Sequence, residues 1–130
     1  MPSIRPFTCS IDGKHSREEN VAWHAKHRYD FLTITDHNCV TVLEQDGTYP
    51  FIPGVEITAR REATRVEYHL ITSGVRAMLI PHLHNPQETI DAINADGGLC
   101  FIAHPCWHDH TLDDLLPLQG RNSVGLARYS

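Results

Sequence analysis

Basic residues are scarce in this chain. Eleven Lys and Arg, only two of them Lys, stand against 16 Asp and Glu, giving a net charge of -5 with histidine counted neutral. The chain as a whole therefore has no attraction for polyanions, and there is no strong electrostatic case for a duplex nucleic-acid partner, which local positive charge or metal would have to hold. Long apolar runs are missing too. No stretch approaches the roughly 20 residues of a membrane span, and Met1 to Pro6 lacks the apolar core of a secretory signal. These two absences point to a cytoplasmic protein with no membrane partner. Cysteine occurs only as Cys9, Cys39, Cys100 and Cys106, without CxxC spacing. Cys100 lies in an apolar run, where a thiol behaves as a small hydrophobe, and all four read as reduced, structural cysteines. Repeats, linkers and low-complexity tracts are absent.

What the chain has is histidine, 10 in 130 residues, on an ordinary background of 41% hydrophobic and 21% charged residues. That composition and length suit one globular domain over 1–130 with a real core. The elements alternate. Ser16 and Glu19 form a capping-box pattern, and Val21, Ala22, Ala25 and Tyr29 follow at helical spacing. Strands are expected over Phe31–Thr35, Phe51–Thr58, Val66–Thr72 and Leu99–Ala103, with a weak one over Val124–Arg128. A second helix is punctuated by Asn85 as N-cap, Pro86 at its first position and Gly97-Gly98 at its end. Thr111 and Asp114 open a short helix that Pro117 closes. Alternation of this kind predicts an α/β sheet or barrel.

Four apolar runs end on metal-type ligands: Phe31–Thr35 on Asp36-His37, Phe51–Val55 on Glu56, Val66–Tyr68 on His69, and Leu99–Ala103 on His104. Buried parallel strands read as apolar runs, and barrel enzymes place their chemistry at strand C-terminal ends. Taken singly, each residue has a structural reading: a turn, a satisfied core histidine, a strand cap. Glu56 fits that reading least, because a carboxylate after Ile52-Pro-Gly-Val55 would be buried, and buried carboxylates are paired or metal-bound. Four consecutive coincidences favour one shared site. Imidazole with carboxylate suits zinc, manganese or iron, and two-metal sites hydrolyse phosphate esters. Asp12 is a fifth candidate ligand.

Ile11-Asp12-Gly13, Ile34-Thr35-Asp36-His37-Asn38, Ile52-Pro53-Gly54-Val55-Glu56-Ile57, Tyr68-His69-Leu70 and Gly97-Gly98 to Ala103-His104-Pro105 together resemble the PHP (polymerase and histidinol phosphatase) family, in its motif order, over roughly residues 8 to 120. The resemblance implies a distorted (βα)7 TIM-like barrel, here partial because the C-terminal strands are missing. It also implies two divalent metal ions, up to three in a complete site, and hydrolysis of a phosphomonoester or phosphodiester, including a nucleotide or oligonucleotide. Carried over by match, Glu56 looks like a bridging carboxylate and catalytic residue, with His69 and His104 on the same metal. Asp12 and His37 look like ligands of a neighbouring metal, and Asp36 like a residue that orients an imidazole or accepts a proton. The chain departs from the family at Arg5 and Phe7, where a His-x-His pair is usual, and in having no late Asp-x-His. Those gaps point to a fragment or a degenerate gene product whose middle ligands survive. Such an unfinished barrel would leave an open edge, which favours self-association.

Further candidates surround the site. Arg60, Arg61 and Arg65 follow Glu56 in an expected loop on the active face and could hold a phosphate, and His108 could line the site. His82-x-His84, His108-x-His110, His24 and His27 read as surface histidines by default. The leading expectation is a metal-dependent phosphoesterase acting on a small phosphorylated substrate or nucleotide. The alternatives are a catalytically impaired remnant that binds metal or a partner, and a C–N-cleaving, amidohydrolase-like enzyme.

Overall fold

The computed structural model describes residues 14–41, 49–75, 85–119 and 124–127. Asp12, Arg5, Phe7, His82 and His84 lie outside these residues. Helix α1 is Arg17–Lys26, followed by strands β1 (Leu32–Ile34), β2 (Phe51–Arg61) and β3 (Val66–Ser73). Helix α2 (Pro86–Ala95), β4 (Leu99–Ala103), a 3-10 turn over Pro105–His108, α3 (Leu112–Leu115) and β5 (Val124–Ala127) complete the order.

The five strands form one mixed sheet in the order β1-β2-β3-β4-β5. The β1–β2 and β4–β5 pairs are parallel, whereas β2–β3 and β3–β4 are antiparallel. This corrects the expected partial (βα)7 barrel. A barrel of that kind needs parallel strands joined by helical crossovers. Here β2 and β3 are joined by a tight turn at Glu62–Arg65, with Arg65 in left-handed backbone (φ 57°), and the sheet stays open. The pairing has a sequence signal that the strand-end reading passed over. Val55, Ile57 and Ala59 are buried and alternate with Glu56, Thr58 and Arg60, the period-2 pattern of an antiparallel strand rather than a uniformly apolar one.

One face of the sheet carries the core. Val55, Ile57, Ala59, Tyr68, Leu70, Cys100 and Ile102 pack with Ile90 and Ile93 of α2. The α2 helix lies there because its ends are as punctuated in the structure as in the sequence. The Asn85 side chain accepts from the Gln87 and Glu88 amides, Pro86 begins the helix, and Gly97 turns out of it at φ 85°. Cys100 sits inside this core, and burial pushes its thiol up to about 12, so it is inert filling. Cys100 and Cys106 are free thiols, but Cys39 is disulfide-bonded, which corrects the reading of all four cysteines as reduced.

Helix α1 has the expected capping box, with Ser16 accepting from the Glu19 amide and Glu19 accepting from the Ser16 amide. Its apolar positions are not core, however, since α1 buries no residue. Gly54 sits where the sheet leaves no room for a side chain. A Cβ there would collide with the Thr33 methyl and lie 2.6 Å from the Thr72 carbonyl oxygen. No helix among the described residues is long and apolar enough to cross a membrane.

Candidate metal centre

The site is built on the sheet face opposite α2. On β2, Glu56 points away from the core positions Val55 and Ile57. On β3, His69 does the same between Tyr68 and Leu70. The register pairs Glu56 with Ile71 and Thr58 with His69, so the two functional side chains are diagonal neighbours across the hairpin. His37 arrives from the β1 side. Parallel pairing resumes after β1, because the Glu56 amide donates to the Asp36 carbonyl and the Asn38 amide to the Glu56 carbonyl. The Asn38 side-chain oxygen then accepts from the Thr58 amide, clamping this segment along β2. His104 follows β4 directly and adopts left-handed backbone (φ 29°, ψ 58°), a strained conformation for a residue with a Cβ. That turn carries its ring towards His69.

The donor atoms converge. Glu56 Oε1 lies 2.9 Å from His69 Nδ1, 3.6 Å from His37 Nε2 and 3.7 Å from His104 Nε2, and His69 Nδ1 lies 3.0 Å from His104 Nε2. Donors bound to one tetrahedral zinc lie about 3.3–3.6 Å apart, given bond lengths of 2.0–2.2 Å. The four separations bracket that range. Glu56 is 3% exposed, and its buried Oε1 accepts no hydrogen bond of good geometry among the described residues, despite the close His69 nitrogen. A neutral His69 with an unprotonated Nδ1 would set two lone pairs against each other at that contact. A proton or a cation between them makes it favourable.

The titration directions agree with that picture. The Glu56 contact comes first among the causes that raise His69 above the usual imidazole value, offset in part by burial and helped by Glu67. Burial alone would raise the Glu56 carboxyl. The His69 contact and the charges of His37, His69 and His104 outweigh it and hold Glu56 below the usual range. Burial leads in lowering both His104 and His108.

Sequence reasoning missed Glu67, whose Oε1 lies 3.3 Å from His69 Nε2. A carboxylate only accepts, so Nε2 carries the proton and Nδ1 is left to face Glu56 and His104. Arg60 bonds the other Glu67 oxygen at 3.1 Å and leads in keeping that carboxylate ionised. Glu67 stands two residues before His69, hence on the same strand face, and that spacing was the available signal.

Other expected residues take different places. The Asp36 carboxylate is buried and accepts from the Thr41 hydroxyl, with Arg17 4.0 Å away, rather than contacting an imidazole of the cluster. Arg60 and Arg61 belong to β2, not to a loop. Arg60 is engaged by Glu67, and Arg61 donates to the Asp114 carbonyl and lies over the Tyr68 ring. Arg65 is in the hairpin turn. His108 does join the cluster, packing edge-on against His69 with centroids 4.5 Å apart. Among the described residues, two groups could hold a metal ion: His37, Glu56 and His69, and His69, His104 and His108. No protein-family model matches this chain, and no curated protein matches it. The chemistry therefore has to be read from the site.

Proposed function

We propose that this protein is a metal-dependent hydrolase that cleaves a phosphomonoester or phosphodiester, with Glu56, His69 and His104 as its metal ligands. The observation that carries the reading is the convergence of four donors at spacings of 2.9–3.7 Å around a buried carboxylate oxygen. A carboxylate and two imidazoles with an open fourth position is a catalytic zinc arrangement, and the same donors suit manganese or iron. The phosphoester class rests on the ordered motifs around Asp36-His37, Glu56, His69 and His104 that resemble the PHP family. A second ion, which Asp12 and His37 would hold under that resemblance, is part of the same proposal.

A bound divalent ion supplies Lewis-acid activation of water and ester. The chain's own residues do the rest. Glu56 brings the negative charge that holds a cation in a buried setting, and Glu67 fixes the His69 tautomer. His37 is the most solvent-accessible of the four clustered side chains (34% exposed), and its Nε2, 3.6 Å from Glu56 Oε1, faces the same oxygen from the open side. Trp107 lies against the His104 ring, its centroid 4.7 Å away, and forms an exposed rim.

A second reading has one specific observation behind it. If His37 completes a four-ligand shell, the site is closed and serves as a structural metal site. Metal content of the purified protein, together with turnover of aryl phosphate mono- and diesters in zinc or manganese, tests both readings. The proposal expects bound metal and turnover that Glu56→Gln abolishes. Metal without turnover in wild type and in His37→Ala supports the closed site. Metal-free protein with no metal-stimulated turnover refutes the hydrolase, and cleavage of amides instead would reassign the substrate.

A further inference from the structure

His108 stands outside the ligand set drawn from the sequence. It ends the 3-10 turn Pro105–His108 that begins directly after His104. The left-handed backbone of His104 and the short turn bring the two rings side by side, at 5.7 Å and 29° between planes. The donor atoms of His69, His104 and His108 all lie within 4.8 Å of one another. His108 Nε2 is buried and makes no hydrogen bond among the described residues. On its far side the His110 ring stacks at 5.6 Å, and His110 Nε2 donates to the Glu67 carbonyl at 2.7 Å, which braces the turn.

We propose that His108 is a metal ligand, and that His69, His104 and His108 form an all-imidazole cation position beside the Glu56 position. The inference rests on the metal-centre reading given above and extends it. His69 belongs to both groups, and Glu67 occupies its Nε2, so only Nδ1 is left to bind an ion. The two positions are therefore alternatives for one ion. Ligand chemistry then sorts the metals. Three imidazoles favour copper, nickel and zinc, whereas the carboxylate-containing position is the one that suits manganese.

Equilibrium titration of the intact chain with Cu(II), Zn(II) and Mn(II) alone, monitored by calorimetry and by electron paramagnetic resonance for copper and manganese, tests this. Copper bound to wild type should show a multi-nitrogen hyperfine pattern. His108→Ala should weaken Cu(II) and Zn(II) binding by more than about 100-fold, beyond the 10- to 100-fold that loss of an outer partner brings, and a smaller loss overturns the assignment of His108 as a ligand. Mn(II) affinity should change less than about threefold, within the usual context scatter of ligand energetics. Glu56→Gln should show the reverse order of sensitivity. His108 is only partly buried, and circular dichroism of the variant checks that the fold is retained. If His108→Ala leaves copper and zinc affinity unchanged while His104→Ala abolishes them, this inference falls and the metal-centre reading stands. If wild type binds none of the three metals, both fall.

Discussion

Replacing Glu67 by glutamine isolates a single proton. Glu67 Oε1 lies 3.3 Å from His69 Nε2 and, being acceptor-only, requires the proton on Nε2. Nδ1 is then the nitrogen that faces Glu56 Oε1 at 2.9 Å and His104 Nε2 at 3.0 Å, where an ion between the lone pairs makes the contacts favourable. A glutamine amide can turn its NH2 towards Nε2, which would move the ring proton to Nδ1, into the cluster. Loss of such an outer carboxylate typically weakens metal affinity 10- to 100-fold, about 1.4–2.7 kcal/mol at 25 °C. The stability of the metal-free fold should hardly change. The Arg60–Glu67 pair that is also lost is half-exposed, and such pairs contribute about 0–1 kcal/mol. Zinc affinity by chelator competition and urea unfolding of the metal-free protein give the two numbers separately. Zinc affinity within about twofold of wild type would refute the tautomer argument, because the site would then tolerate either proton position. A stability loss above about 2 kcal/mol would show instead that Glu67 acts mainly in the fold.

Three other outcomes follow from the packing and the charges. Ile93→Ala empties a fully buried position under the sheet and should cost about 2–4 kcal/mol in urea unfolding. Gly54→Ala forces a methyl against Thr33 and the Thr72 carbonyl and should cost about 1–3 kcal/mol, with loss of the ordered β1–β2 pairing by amide hydrogen exchange. Zinc binding should weaken as pH falls, beginning above the ordinary imidazole value of 6.5, because the raised His69 holds its proton to higher pH. In the metal-free protein, His69 is raised above the ordinary imidazole value of 6.5 and Glu56 lowered below the ordinary carboxylate value of 4.5, so their mutual stabilisation is present between those values. It is lost upward as His69 deprotonates and downward as Glu56 protonates. Burial depresses His104 and His108, whose contribution runs the other way, present above 6.5 and lost in acid. The measurement is therefore the difference in stability between wild type and Glu56→Gln across pH, which should be largest between pH 4.5 and 6.5.

Local structure was legible wherever a residue acts on its immediate neighbours. The Ser16–Glu19 box, the Asn85-Pro86 start, the Gly97 stop and the limits of β4 all came through, because caps and φ preferences depend on a few adjacent atoms. The expected edges of β2 fell short by three residues: the strand runs to Arg61, carrying Arg60 to Glu67 rather than to a substrate loop. Topology was not legible from the apolar runs. A run such as Val66–Ser73 fits a parallel or an antiparallel neighbour equally well, and only the tight turn before it decides for a hairpin. The metal-type residues Glu56, His69, His104 and His37 were named from strand ends and do meet, although not on the expected barrel. Glu67 was hidden because carboxylates are common on exposed strand faces, and its partner is identifiable only once His69 has a direction.

The convergence is a matter of register as much as of residue type. Directly opposed residues on an antiparallel pair hold their Cβ atoms about 4.5–5.5 Å apart, while diagonal neighbours stand about 7–8 Å apart. Glu56 and His69 are diagonal, so their side chains lean towards each other and meet at their ends, with the polar atoms clear of both backbones. The pairing of Leu70 with Ile102 would set an extended residue 104 opposite Tyr68, on the core side. The left-handed turn at His104 takes its ring off that side and sets Nε2 3.0 Å from His69 Nδ1. His37 reaches Glu56 because Asp36 and Asn38 continue a parallel ladder that β1 alone is too short to carry. A slip of one residue in either pairing would turn Glu56 or His69 into the α2 core. The stability of the sheet and the integrity of the cluster are therefore the same constraint, and a conservative change such as Gly54→Ala should be felt at the His–Glu cluster it never touches.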